Sequence, residues 1–72
     1  MTVTVREMDD KGITKDYKIE GVVAITQIGV TYFTNIDRYG DRFSILVRPK
    51  GEPSYEQDIY VVKGRTTIII NN

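Results

Sequence analysis

The stretch VVAITQIGVTYFTNIDRYGDRFSILVR, residues 22–48, decides the fold. It holds both phenylalanines and two of the five tyrosines, and β-branched residues crowd between short polar interruptions. This pattern predicts three strands and two turns. The strands are residues 22–26, 30–36 and 42–48, the third, fourth and fifth of the chain. Gln27-Ile28-Gly29 is the first turn, with Gly29 supplying permissive backbone, and Asp37-Arg38-Tyr39-Gly40-Asp41 is the second.

A register follows for the second turn. With Arg38 through Asp41 in the loop, Asp37 faces Arg42, Ile36 faces Phe43, Thr34 faces Ile45 and Tyr32 faces Val47. Val30, Tyr32, Ile36, Phe43, Ile45 and Val47 then form the core face. Thr31, Phe33, Asn35, Ser44, Leu46 and Arg48 form the other, more amphipathic face. Two registers stay open at Gly29. A two-residue loop puts Val23 and Ile25 on the core face, and a three-residue loop puts Val22 and Ala24 there.

Upstream, residues 2–8 and 13–20 alternate as two strands with one buried face each. A three-residue loop, Asp10-Lys11-Gly12, joins them. It sets Val5 opposite Tyr17, Val3 opposite Ile19, Arg6 opposite Asp16 and Glu7 opposite Lys15. Apolar pairs and opposite charges both match, which a four-residue loop would spoil.

Downstream, residues 49–58 (PKGEPSYEQD) hold both prolines and a mixture of charges, and read as a loop. Residues 59–62 are the sixth strand, Lys63-Gly64 a hairpin turn, and residues 65–70 the seventh strand. In that hairpin Ile59 faces Ile68 and Val61 faces Thr66. Ile59, Val61, Ile68 and Ile70 share one face, and Tyr60, Val62, Thr67 and Ile69 share the other. Both faces carry apolar side chains, so each calls for cover.

No segment has helical periodicity at useful length. Strands recurring about every ten residues predict one all-β domain over residues 1–72. It is an antiparallel meander of six to seven strands, either a partly open barrel or a two-layer sandwich. In strand count the chain resembles SH3-like and related small barrels, a likeness that carries no function.

Composition narrows the chemistry. The chain has 72 residues, no Cys and no His, and ten acidic against ten basic side chains. Thiolate chemistry and cysteine-ligated zinc are excluded, and the usual general base is missing. Ser44 and Ser54 lie in no nucleophile-elbow sequence, and the isolated glycines follow no phosphate-loop spacing. Asp9 with Asp10, and Asp37 with Asp41, read as turn residues. No enzyme, cofactor, metal or small-molecule substrate is expected. No apolar run reaches the roughly 18 residues of a membrane span, and a cytoplasmic protein is expected.

Two binding readings remain. The first is a protein-interaction or assembly module, an accessory protein that binds a partner or itself. Its surface is the outer stripe Tyr60, Val62, Thr67 and Ile69, with Tyr55 as the anchor of the long loop. The competing role for the last strand is to pair with the first and remove an edge. The second reading is a single-stranded nucleic-acid binder. Phe33 and Tyr39 would stack bases, and Arg38, Arg42, Arg48 and Lys50 would track phosphates. The balanced net charge and the acids of residues 52–58 weigh against it.

Overall fold

A computed structural model describes residues 1–33 and 38–71, with Phe33 described by its backbone alone. The strands are β1 (Thr2–Met8), β2 (Thr14–Ile19), β3 (Val22–Phe33), β4 (Arg38–Val47), β5 (Tyr55–Val62) and β6 (Thr66–Asn71). They form two three-stranded antiparallel sheets, ordered β2-β1-β6 and β3-β4-β5. The sheets are not closed into a barrel, and the described residues form no helix. No described helix is therefore long and apolar enough to cross a membrane.

The β1–β2 hairpin follows the sequence register pair for pair: Val3 with Ile19, Val5 with Tyr17, Arg6 with Asp16 and Glu7 with Lys15. Asp9 closes its loop. The Asp9 carboxylate accepts hydrogen bonds from the N–H groups of Lys11 and Ile13, both at 2.9 Å. Its backbone N–H donates to the Ile13 carbonyl. Arg6 grips Asp16 through Nε at 2.9 Å and Nη2 at 3.0 Å. This hydrogen bonding holds the Asp16 carboxyl below its ordinary pKa. A carboxylate whose pKa is depressed on folding adds stability above its unfolded-state value, and that stability is lost as pH falls through the folded-state value. Asp16→Asn should therefore lower the urea midpoint slightly at neutral pH. The gap to the parent should close below about pH 4. The pair is exposed, so the effect should also shrink in high salt.

The third and fourth predicted strands are one strand. β3 runs for 12 residues straight through Gln27-Ile28-Gly29. Gln27 pairs with Phe43 and Gly29 with Arg42, which leaves Ile28 as the extra residue of a bulge. Gly29 has φ +148°, a conformation that suits glycine, but it bends the strand without reversing it. A second irregularity lies between Val22 and Ala24. It switches the facing of the strand, so that Val22 is buried, Val23 is exposed and Ile25 packs against the core. Each open register at Gly29 therefore had one inward residue right.

This correction moves the whole β3–β4 pairing. Ile45 faces Ile25, Val47 faces Val22 and Tyr32 faces Tyr39. Arg38, Tyr39, Gly40 and Asp41 are strand, not turn. Thr34, Asn35, Ile36 and Asp37 lie outside the described residues. The physical reason is ladder length: a bulge leaves one residue unpaired, whereas a turn at Gly29 would forfeit the continuous pairing of β3 with β4.

β5 also starts earlier than expected, at Tyr55, because residues 55–58 pair with 47–44 of β4. The acidic Glu56 and Asp58 fit a strand here because they lie on its solvated face.

The last two strands do not form a hairpin with each other. Lys63-Gly64-Arg65 turns the chain out of the second sheet, with the Arg65 N–H donating to the Val62 carbonyl at 2.9 Å. β6 then pairs with β1, Val5 against Ile68 and Val3 against Ile70. This is the competing pairing of the last strand with the first. It satisfies the second edge of β1, which a β5–β6 hairpin would leave bare.

At the opposite corner the chain passes from β2 into β3 through Gly21. Met1 and Val22 exchange backbone hydrogen bonds at 2.9 and 3.0 Å, and the Arg48 N–H donates to the Gly21 carbonyl at 2.8 Å. Between the sheets lies the core of Val3, Val5, Val22, Ile45, Val47 and Ile59, flanked by Ile19, Ile25, Val61 and Ile68.

Candidate functional site

Two sheets joined at two corners leave two other sides open. On one of them β2 and β5, each the last strand of its sheet, line a common opening. A groove of about 500 Å³ runs between these edges. Val5, Ile19 and Ile59 form its apolar floor, continuous with the core. Tyr17 on β2, with Tyr55 and Tyr60 on β5, are exposed along it. Among the described residues each of the two is the last strand of its sheet, paired on one side only, by β1 and by β4.

The rim leans acidic. Glu7, Glu20 and Asp58 line the groove against a single cation, Lys18. Asp58 is bound by Arg42, whose Nε donates to Oδ2 at 3.0 Å. Hydrogen bonding to Asp58 keeps the Arg42 guanidinium above its ordinary pKa, and the same guanidinium lies 5.9 Å from the centre of the Tyr60 ring. This arrangement steadies Tyr60 at the groove edge. Lys15 stands 5.8 Å from the Tyr17 ring.

The sequence-derived interface is split by this geometry. Tyr55 and Tyr60 reach the groove. By strand alternation Tyr60 and Val62 face away from the core on the second sheet, whereas Thr67 and Ile69 face outward on the first. Tyr60, Val62, Thr67 and Ile69 therefore form no single stripe, because β5 and β6 belong to different sheets. Tyr55 is a strand residue and not a loop anchor. Tyr17 was overlooked, although its pairing with Val5 already placed an aromatic on the inner face of a hairpin strand.

The nucleic-acid set is likewise dispersed. Arg38 opens β4 and Arg48 follows its last residue, about 30 Å away at some 3.3 Å per residue. Between them Arg42 is held by Asp58, and Glu56 shares the same outer face. Tyr39 belongs to the other face of β4, and Lys50 sits in the loop beyond it. The Phe33 side chain lies outside the described residues.

Among the described residues no three His, Cys, Asp or Glu side chains gather as a metal site. Comparison with protein-family models, curated proteins and solved structures finds no match to this chain.

Proposed function

We propose that this protein is a non-enzymatic interaction module of the cytoplasm that captures an extended segment of a partner protein between β2 and β5. The groove between two edge strands, with its three exposed tyrosines, carries this reading. Tyrosine gives large contact area at low entropic cost, and is enriched where protein partners meet. A strand added to β5 would take its affinity from main-chain hydrogen bonds and its specificity from alternate side chains entering the groove. β5 suits this better than β2. It is the longer edge, and β2 carries Lys15 and Lys18, the residue type that blunts edge pairing. Glu7 and Glu20 call for lysine or arginine flanking the apolar residues of the captured segment.

Peptide display against the full chain tests this, with the Tyr17→Ala/Tyr55→Ala variant as a parallel bait. Selection should enrich extended apolar sequences with basic flanks. The variant should bind them more than about thirtyfold less tightly. Amide shifts in the parent should map to β2 and β5. Equal enrichment on both baits would end this reading. Salt-sensitive binding of a labelled oligonucleotide, with no peptide selected, would favour nucleic acid instead.

A further inference from the structure

The inner face of the second sheet continues past the cover that the first sheet provides. On β4 the alternate residues Val47, Ile45, Phe43, Asp41 and Tyr39 share that face. The register sets Val30 and Val61 beside Asp41, and Tyr32 beside Tyr39. Ile45 is fully buried, whereas Val30 is 64%, Tyr32 41% and Tyr39 68% exposed. β5 ends opposite Gly40, so the two tyrosines sit on a two-stranded ribbon that projects beyond the third strand. Their rings meet edge-on with centroids 4.8 Å apart, which presents an ordered aromatic surface.

These three side chains expose on the order of 300 Å² together, a size at which a patch on a small protein commonly serves contact. Charge identifies what fits it. Asp41 and Lys63 line the same shallow hollow beside Val30 and Tyr39. Among the described residues neither forms an ion pair within its own chain. A patch with one unpaired acid and one unpaired base is self-complementary. A two-fold axis passing between Asp41 and Lys63, through the hollow they share, would set Asp41 of each copy against Lys63 of the other, as an isologous interface requires.

We propose that this face binds a second copy of the chain, with Val30, Tyr32 and Tyr39 as the apolar contact and two Asp41–Lys63 pairs flanking the axis. The surface is separate from the groove and does not depend on it. Its area falls below the roughly 800 Å² per partner of stable complexes, so the dimer should form in a concentration-dependent way.

Sedimentation equilibrium of the full chain tests this. The parent should pass from monomer to dimer as concentration rises. Tyr39→Lys should weaken association more than about thirtyfold while its circular dichroism and melting stay unchanged. Asp41→Lys and Lys63→Asp place like charges across the axis, so each alone should be monomeric. Mixed, they should form a heterodimer, because each then offers what the other lacks. A parent that remains monomeric to millimolar concentration would overturn the proposal. So would a Tyr39→Lys dimer of parental strength, or a mixture no more associated than its parts.

Discussion

Ile45→Ala is expected to destabilise the protein by about 3–4 kcal/mol, the largest loss from any single truncation here. Ile45 is 0% exposed at the middle of the central strand β4. Ile25 and Gln57 flank it in register, and Val3 and Val5 of the other sheet belong to the same buried cluster. Truncation removes apolar contact and leaves a cavity that two packed sheets can close only in part. A chain of 72 residues has roughly 4–11 kcal/mol of stability to lose. The variant should therefore unfold at a much lower urea concentration, followed by tyrosine fluorescence or circular dichroism. Val30→Ala is the control: its side chain is largely exposed, and its stability cost should stay within about 0.5 kcal/mol. Equal midpoints for the two variants would mean that the sheets do not pack face to face through Ile45.

Gly21→Ala should cost about 2–3 kcal/mol, through backbone crowding instead of lost burial. Gly21 has φ +75°, where a side chain costs roughly 1–2 kcal/mol. A Cβ there would also stand 2.9 Å from the Arg48 carbonyl oxygen, a backbone atom with little freedom to move. That contact would strain the hydrogen bond from the Arg48 N–H to the Gly21 carbonyl, which ties the corner to the end of β4. Gly12→Ala separates the two causes. Gly12 has nearly the same φ, +81°, but nothing lies within 4 Å of its Cβ position. It should cost only the conformational part, roughly 1–2 kcal/mol. The difference between the two urea midpoints then measures the crowding at the corner. If the two variants melt together, the corner tolerates a methyl group.

Much of the candidate groove was legible in pieces. Tyr55 and Tyr60 stood out as exposed aromatics, and the hairpin register placed Tyr17 inward. Their meeting was not legible, because β2 and β5 are brought face to face only when β6 leaves β5 and joins β1. The same departure dispersed the stripe of Tyr60, Val62, Thr67 and Ile69. Strand alternation gave their facing correctly, but facing says nothing about which sheet a strand enters. Val30 and Tyr32 illustrate a related gap. Each lies on the face that its alternation indicates, yet both are exposed because the first sheet stops short of them.

By itself the sequence determined the all-β class, the register of the β1–β2 hairpin, and the inward facing of Val3, Val5, Ile45, Val47 and Ile59. These features rest on neighbours a few positions apart: alternation, turn chemistry and charge pairs across a tight loop. The tertiary structure alone decided that Gly29 is a bulge, that β3 runs unbroken to Phe33, and that the last strand pairs with the first. The reason is competition between edges. Each cross-strand pair contributes a few tenths of a kcal/mol up to about 1, so alternative partners differ little pair by pair. The choice falls to the arrangement that leaves the fewest backbone groups bare once the six described strands are assembled.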